Sequence, residues 1–427
     1  MSLTHLLIKN ARIVRSREKT FEDSDILIDL NSGRIEKTDK EITLTRAMNA
    51  KVINAMGHLV VPAFTDLYAR TGEPAYAYRD TISKSAEAAL EGGYAQMVVI
   101  PDVPKGTSES AVVRHIKAHS SRCISEVLCA APITGERGER REPVSMPALC
   151  SEGASVFVSE GDDSTYELYD AMLKCKSAGY PLIVRCKESE MYKKGALSSG
   201  RASSMLKAEP IPRCAETLAL AKILVLAKET GCPVHVALLS KRESFEMVRR
   251  AKAEGLNISC SVSPYHFFMI DNDVIFYGQN AKTDLPLSSE DDRLAVIEAI
   301  SDGTVDAIVS NHTPCAPAEK SLPISDAAFG AVSLDIAFSL AVSALLSTGY
   351  VDIFRLCELF SDFPSSFVGR SNEIKEGETA NLLLLSLEGK TTVSENALKS
   401  KAKNTPCIGM TLGGKIMLRV INGKLVE

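Results

Sequence analysis

The sequence predicts an α/β fold: a (β/α)8 barrel of the TIM type with a small β-sandwich domain built from both chain termini. Through the middle of the chain, apolar segments of strand length alternate with amphipathic segments of helix length. This alternation is typical of a parallel sheet that is covered by helices. Both ends of the chain instead contain short β-type runs that are separated by turn residues.

The central region contains eight apolar segments that we interpret as parallel strands: Leu59–Asp66, Ala95–Pro101, Ser125–Ala131, Ala154–Ser159, Pro181–Cys186, Cys232–Leu239, Asn257–Ser263 and Val305–Asn311. Helical periods follow four of them, at Ser83–Glu91, Thr165–Ser177, Ala215–Thr230 and Lys241–Ala253. Eight strand–helix units close into a barrel. A doubly wound open sheet is the alternative, but no glycine-rich dinucleotide-binding loop follows the first strand, so we prefer the barrel.

The two ends of the chain supply the strands of the second predicted domain, at Leu6–Val14, Asp25–Leu30, Val52–Val61, Asn381–Leu387, Lys415–Val420 and Lys424–Val426. The step Asn422-Gly423 suits a type I′ turn, so the last two of these strands are predicted to form a hairpin. Neither end is long enough to make a domain alone. We therefore expect residues 1–58 and 373–427 to form a composite β-sandwich domain and residues 59–372 to form the barrel.

Composition argues against several classes of function. The formal net charge is −5 and there is no basic tract, which argues against a nucleic-acid-binding or membrane-surface protein. No signal peptide is recognised, and no apolar run reaches the ~18 residues that a membrane span needs. The eleven cysteines are scattered without a Cys-x-x-Cys pair. We therefore expect free thiols in a cytoplasmic protein and no cysteine zinc site.

The strand ends carry motifs that resemble a known family. The run Val61–Arg70 resembles the first-strand motif P-G-F-I-D-x-H-x-H of amidohydrolases, and Glu73-Pro74 follows it as in dihydroorotases. The segments Leu285–Arg293, Asp302–Ile308 and Ser400–Met410 resemble the P-P-L-R-x-x-x-D-R, D-G-x-I-D-x-I and S-K-x-x-N-T-P-F-x-G blocks of that family. The chain is thereby identified as a member of the type I dihydroorotase family of the amidohydrolase superfamily. Dihydropyrimidinases and allantoinases share the architecture.

The resemblance implies a zinc-dependent hydrolysis of a cyclic amide, but the positions that would hold the metals are changed. Family histidines are replaced by Tyr68, Arg70, Arg185 and Leu238, and the aspartate that acts as ligand and base is replaced by Asn311. The bridging ligand falls near Ser159 or Glu160, of which only Glu160 could serve. The substrate-binding positions are degenerate as well, with Gly72, Asp102 and Cys315 in place of an arginine, an asparagine and a histidine.

These replacements predict a site without catalytic residues, metal or cofactor. Arginine has no acceptor atom and keeps its charge, so it cannot ligate zinc, and Asn311 cannot accept a proton as an aspartate does. Arg70 and Arg185 have two interpretations. They either pair internally with Asp66, Asp102 or Glu160, or bind an anionic ligand as part of a small-anion sensor. We favour internal pairing.

Two functions follow from the resemblance. The first is that of the metal-free, catalytically silent dihydroorotase-like subunits: a non-catalytic homologue in pyrimidine biosynthesis that acts as a structural partner of aspartate carbamoyltransferase, with homodimer formation expected. The alternative is an active cyclic-amide hydrolase (dihydroorotase, EC 3.5.2-type) with a remodelled zinc site, for which His235, His266 and His312 near the strand ends are the candidates. A strand histidine is more often a core residue than a ligand. The charge run Glu136–Pro143 is predicted to be a solvated loop.

Overall fold

The amino-terminal part of the chain forms a sheet that the carboxyl-terminal part completes. The computed structural model describes residues 3–45, 48–103, 107–137 and 140–426. The first strands are β1 (His5–Arg15), β2 (Thr20–Asp29), β3 (Arg34–Asp39), β4 (Ala50–Asn54) and β5 (Leu59–Pro62). Strand β1 is central, because it pairs antiparallel with β2 and parallel with both β4 and β5.

The middle of the chain forms a closed parallel barrel. Its strands and short hairpin strands are β6 (Phe64–Ala69), β7 (Tyr94–Val99), β8 (Glu126–Pro132), β9 (Thr134–Arg137), β10 (Arg140–Pro143), β11 (Ala154–Ser159), β12 (Leu182–Arg185), β13 (Leu197–Ser198), β14 (Pro210–Ile211), β15 (Val234–Ala237), β16 (Ile258–Val262) and β17 (Ala307–Ile308). Strands β6, β7, β8, β11, β12, β15, β16 and β17 are neighbours in that order in one eight-stranded sheet. The Asn311 amide donates to the Tyr68 carbonyl at 3.0 Å and so closes the barrel between β17 and β6. The predicted barrel is confirmed.

The last strands, β18 (Leu382–Thr392), β19 (Thr411–Ile421) and β20 (Lys424–Val426), join the terminal sheet. Strand β18 pairs with β5, so both ends of the chain lie in one eight-stranded sheet. The predicted hairpin connects β19 and β20. Its two turn residues, Asn422 and Gly423, have φ angles of 48° and 70°, as a type I′ turn requires.

The helices cover the barrel: α1 (Ile82–Glu91), α2 (Glu109–Ser120), α3 (Met146–Glu152), α4 (Thr165–Ala178), α5 (Ser189–Tyr192), α6 (Arg201–Met205), α7 (Cys214–Thr230), α8 (Arg242–Ala253), α9 (Pro264–Phe268), α10 (Asp273–Tyr277), α11 (Glu290–Ser301), α12 (Pro317–Lys320), α13 (Ala337–Ala341), α14 (Ile353–Cys357) and α15 (Phe363–Phe367). The four helices predicted from periodicity correspond to α1, α4, α7 and α8. Ser164 and Glu167 form a capping box that fixes the start of α4. Among the described residues, no helix has the length and apolarity to cross a bilayer.

The first barrel strand and the charge run Glu136–Pro143 both differ from their predictions. The predicted first barrel strand, Leu59–Asp66, is two strands, because β5 pairs in the terminal sheet and only β6 pairs in the barrel. The charge run Glu136–Pro143 is not a loop throughout, since β9 and β10 pair there as a hairpin. Residues 138 and 139 of that run lie outside the described residues. Arg141 of this hairpin pairs with the buried Asp163 at 3.0 Å, which ties it to the residues after β11.

Candidate functional site at the barrel mouth

The carboxyl ends of four barrel strands bring charged side chains together. Arg70 follows β6, Asp102 follows β7, Glu160 follows β11, and Arg185 is the last residue of β12. Asp284 joins them from the segment that precedes α11. Because parallel strands end at the same edge of a barrel, these residues share one mouth. We call these five residues, together with Tyr68, the mouth network.

Glu160 lies at the centre of the mouth network. The Tyr68 hydroxyl donates to its Oε1, and the Arg70 guanidinium donates to its Oε2. Nη1 of Arg185 lies 3.8 Å from the same Oε2. Both oxygens of the single carboxylate at the predicted bridging position are therefore engaged by protein groups.

The two arginines extend the network to either side of Glu160. Nη1 of Arg70 lies 3.1 Å from Oδ1 of Asp102. Nη2 of Arg185 lies 2.9 Å from Oδ2 of Asp284 and also donates to the Asp284 carbonyl at 3.1 Å. Charges thus alternate along the mouth from Asp102 through Arg70, Glu160 and Arg185 to Asp284. The favoured internal pairing of the arginines matches this geometry.

Asp66, one of the predicted partners of the arginines, has a different role. Its carboxylate accepts from the Ser310 amide at 2.7 Å and from the Ser310 hydroxyl. Burial raises the pKa of Asp66, and the hydrogen bonds from Ser310 oppose that rise. Of the three alternative partners named for the arginines, Asp66 is therefore the one used elsewhere, because its carboxylate holds the end of the eighth strand against β6.

Burial makes this pairing energetically important. The Arg185 side chain is 5% exposed and the Glu160 side chain 27%. Burial alone would lower the pKa of Arg70, but Glu160 and Asp102 outweigh it and hold the pKa above its ordinary value. Burial would likewise raise the pKa of Asp284, but Arg185 and Arg70 outweigh it and hold that pKa low. Each of these buried charges is therefore compensated by a neighbour of opposite sign.

Tyr68 is a neutral donor in this network. Its side chain is 1% exposed. Burial first, and the Glu160 carboxylate second, raise the pKa of the Tyr68 phenol well above its ordinary value. The hydroxyl therefore keeps its proton, which it donates to Glu160. The oxygen ligands that proteins supply to zinc are anionic, and a protonated phenol is not. Tyr68 is therefore a poor metal ligand in this position.

The remaining two positions of the predicted metal site also do not fit a metal. Leu238 is buried and packs with Tyr68 in the apolar interior of the barrel. Asn311 is 3% exposed, and its Oδ1 has no hydrogen-bond partner among the described residues. An alkyl group, a neutral amide, two guanidiniums, a phenol and one engaged carboxylate do not form a zinc ligand set.

The backbone at two of these positions is left-handed although neither residue is glycine. Leu238 has φ 63° and Asn311 has φ 52°. Asparagine tolerates this conformation, but for leucine it is strained, and such strain is concentrated at functional sites. The resemblance described above implies metal ligands at these two positions. Here an alkyl side chain and a neutral amide occupy them on a left-handed backbone.

The three histidines of the alternative zinc site do not come together. His235 lies inside the barrel, where its two ring nitrogens bond to the Ser259 and Ser261 hydroxyls at 2.9 and 3.0 Å. Burial lowers its pKa to about 3. His266 Nε2 bonds to the Pro286 carbonyl at 3.3 Å, and burial lowers the pKa of His266 to about 4. Both are core residues with their own partners.

His312 is held by main-chain groups. Its Nδ1 accepts from the Ser333 and Leu334 amides at 3.1 and 3.3 Å, so the proton of the neutral ring is on Nε2. Nε2 lies 3.9 Å from the Asp80 carboxylate. Within the described ranges, the grouping of three residues with the geometry to hold a metal is a different one, formed by Glu73, His115 and His119. The predicted alternative site is not assembled.

The predicted substrate positions have structural roles here. Gly72 has φ 78°, and a Cβ at this position would lie 2.7 Å from the Tyr76 carbonyl oxygen. Asp102 is paired with Arg70, as described above. Cys315 is buried, its Sγ lies 3.3 Å from the Phe329 carbonyl oxygen, and burial raises its pKa to about 11. None of the three presents a group that is free to bind a substrate.

A cavity of about 350 Å³ adjoins the mouth network. Its lining includes one cationic side chain, Arg141, and five carboxylates, those of Asp102, Glu109, Glu160, Asp162 and Asp163. Asp102 and Glu160 lie between this cavity and the Arg70 guanidinium. The lining is therefore acidic and does not favour the anionic ligand that the small-anion interpretation requires.

Asp284 is the member of the mouth network that we did not predict from the sequence. It directly precedes the Leu285-Pro286 step of a family-like motif. The balance of charges in the sequence motifs would have indicated a further anion. Arg70 and Arg185 converge on one carboxylate, Glu160, and a nearly buried second arginine needs a second anion.

The comparisons with known proteins point in one direction. The chain is 33% identical over 408 residues to the dihydroorotase of Caldanaerobacter subterraneus subsp. tengcongensis, covering 95% of this chain and 93% of the relative. It is 30% identical to the dihydroorotase of Caldicellulosiruptor saccharolyticus, covering 99% and 98% of the two chains. No protein-family model matches the sequence.

Solved structures with the same fold include the L-hydantoinase (dihydropyrimidinase) of Arthrobacter aurescens, with a TM-score of 0.86 and 21% sequence identity, covering 99% of this chain and 95% of that one. They also include the D-hydantoinase (dihydropyrimidinase) of a Thermus species, with a TM-score of 0.84 and 17% identity, covering 98% and 94%. At these identities the likeness establishes the fold alone.

Proposed function

We propose that this chain, which belongs to the dihydroorotase family, is a non-catalytic member that serves as a structural subunit in pyrimidine biosynthesis. The partner that we propose is aspartate carbamoyltransferase. The observation that carries the proposal is the mouth network, because ion pairs occupy positions at which the resemblance to dihydroorotases implies metal ligands.

Metal binding at the mouth would have to break these ion pairs. A dication close to Glu160 would face the guanidiniums of Arg70 and Arg185, which are within ion-pair distance of the same carboxylate. At an effective dielectric constant of about 20, two unit charges 4 Å apart interact by about 4 kcal/mol. The two repulsions therefore offset what one carboxylate could contribute to metal affinity.

Among the described residues, the two positions at which the resemblance places a base or a bridging ligand, Asn311 and Glu160, offer no free proton acceptor. Asn311 is a neutral amide, and Glu160 already accepts from Tyr68 and Arg70. General-base catalysis requires a free acceptor within hydrogen-bond reach of the attacking water. This geometry supports a role that does not depend on chemistry at the barrel mouth.

The family-like residues that remain support such a role because they hold the architecture. Asn404, from the Ser400–Met410 segment, donates to the Thr313 and Gly330 carbonyls at 3.1 Å each and accepts from the Cys315 amide at 3.1 Å. Asp292, from the Leu285–Arg293 segment, is fully buried and accepts from Arg213 at 2.6 Å. These contacts fix loops and helices around the barrel without any catalytic step.

The test uses untagged full-length protein. With zinc supplied, we expect no turnover of dihydroorotate above the buffer rate, and co-sedimentation with aspartate carbamoyltransferase in analytical ultracentrifugation. The same sedimentation run measures whether the chain alone is a dimer. Turnover that is lost in a Glu160→Gln or His312→Asn variant would overturn the non-catalytic assignment and establish the alternative, an active cyclic-amide hydrolase. Inactivity without co-sedimentation would refute the choice of partner.

A further inference from the structure

We propose that Glu73, His115 and His119 form a metal site of the zinc class on the outside of the barrel. One ligand atom from each of the three residues lies within 4.8 Å of the other two. A tetrahedral zinc ion with bonds of about 2.1 Å places its ligand atoms roughly 3.4 Å apart. Small side-chain rotations on an unchanged backbone therefore suffice to close the site.

Helix α2 presents the two histidines on one face. His115 and His119 are four residues apart, and side chains at this spacing are neighbours on a helix surface. Their ring centroids are 4.3 Å apart. Glu73 approaches the pair from the segment between β6 and α1. The site therefore links two parts of the chain that are distant in sequence.

The tautomer of His119 is set by a main-chain contact. Its Nδ1 lies 2.9 Å from the carbonyl oxygen of His115. A carbonyl oxygen only accepts, so Nδ1 carries the proton and Nε2 keeps its lone pair. Histidines that bind metals commonly donate their other nitrogen to a backbone carbonyl in this way. The hydrogen bond that orients a metal-binding imidazole is thus already present at His119.

His115 carries a polar atom that lacks a partner. Its Nε2 is shielded from solvent and has no hydrogen-bond partner among the described residues. A buried nitrogen without a partner costs free energy, and a bound metal would satisfy it. Burial, and then the neighbouring His119, lower the pKa of His115.

Glu73 supplies the negative charge. Its Oε2 accepts from the Ile82 amide at the start of α1 at 2.7 Å, which fixes the carboxylate and leaves Oε1 for the metal. Two imidazoles and one carboxylate suit zinc and its transition-metal neighbours, whereas calcium and magnesium prefer oxygen ligands. In the described part of the chain, the charged or titratable groups that act on His115 are His119 and Glu73. No arginine or lysine is among them, whereas in the mouth network two guanidiniums would repel a cation.

The test is a zinc titration by isothermal calorimetry on untagged full-length protein. The exposed thiol of Cys214 is removed by Cys214→Ser, because a free surface cysteine binds zinc by itself. We expect one zinc ion per chain and a rise in the thermal midpoint with zinc. We expect at least a tenfold weaker Kd for His119→Gln, and loss of the site in the His115→Gln/His119→Gln double variant.

A matched control is His5→Gln, which removes a histidine that lies 3.2 Å from a carboxylate of Glu36 in the terminal sheet. Its zinc affinity should equal that of the parent protein. Copper(II) bound in place of zinc should show hyperfine coupling to two imidazole nitrogens by electron paramagnetic resonance. If the double variant does not fold, the single His119→Gln variant decides. Zinc uptake that is unchanged in either variant, or no uptake by the parent protein, would overturn the proposal.

Discussion

The mouth network makes a quantitative prediction for the variant Asp284→Asn. The substitution preserves the shape of the side chain and removes one negative charge. Nη2 of Arg185, a side chain that is 5% exposed, would then lose the carboxylate that lies 2.9 Å away. Removing one partner of a buried ion pair costs about 3–5 kcal/mol. We expect about 3 kcal/mol, because the Asp284 carbonyl and Glu160 still contact Arg185.

The expected loss can be expressed as a change in thermal midpoint. The unfolding entropy is about 2.1 cal/mol/K per residue, which is about 0.9 kcal/mol/K for a chain of 427 residues that unfolds as one unit. A loss of about 3 kcal/mol therefore lowers the midpoint by about 3 °C. Differential scanning fluorimetry resolves this change, and urea unfolding checks it. The control is Glu190→Gln, which breaks the exposed pair between Lys193 and Glu190 and should leave the midpoint unchanged.

The pH dependence gives a second check on the same variant. Arg185 and Arg70 hold the pKa of Asp284 below its ordinary value against the effect of burial. A lowered carboxylate pKa contributes stability that is present above the unfolded pKa of about 3.9 and is lost as pH falls through the folded pKa. The difference between parent and variant should therefore be complete at pH 7 and shrink below about pH 4. An Asp284→Asn protein as stable as its parent at pH 7 would refute the argument for a compensated network.

Two other predictions concern residues that do not belong to the mouth network. Gly72→Ala should cost more than about 1 kcal/mol in urea unfolding, because φ is 78° and the new Cβ meets the Tyr76 carbonyl oxygen at 2.7 Å; equal stability would contradict the close approach. Burial lowers the pKa of His235 to about 3 and that of His266 to about 4, so the stability that these neutral rings contribute is complete above the unfolded pKa of about 6.5 and is lost below it. For each histidine, we expect the free energy of unfolding to fall by about 2 kcal/mol between pH 7 and pH 5. His235→Gln should remove that amount from the pH dependence of stability. An unchanged pH dependence in this variant would mean that His235 does not resist protonation.

Much of the architecture could be predicted from the sequence because hydrophobic periodicity and turn chemistry are local. Leu182–Arg185 and Cys214–Thr230 lie where apolar runs and helical periods place them. The eighth strand departs from this agreement, because only Ala307–Ile308 is regular where Val305–Asn311 was predicted. There the Ser310 amide bonds to the Asp66 side chain instead of a strand neighbour, and Asn311 is left-handed. Sequence periodicity does not record such side-chain contacts.

The sequence could predict most residues of the candidate site, but it could not predict which of them form ion pairs with one another. Strand ends in a parallel barrel meet, so the proximity of Arg70, Glu160 and Arg185 follows from the order of the strands. Which carboxylate neutralises which arginine depends on side-chain reach and on loops whose path the sequence does not fix. Asp284 belongs to such a loop and therefore escaped prediction, while Asp66, one of three alternative partners of the arginines, bonds to Ser310 instead.

The short connection between β5 and β6 limits how the protein can be cut into parts. Only Ala63 separates β5, which pairs with β1 and β18, from β6, which pairs with β7. A truncated chain that begins at residue 59 would keep β5 but lose β1, exposing Val60 and Val61, both of which are 0% exposed in the intact protein. Such an unpaired apolar edge invites aggregation. Experiments that dissect the molecule should therefore change single side chains in the full-length chain and leave both ends in place.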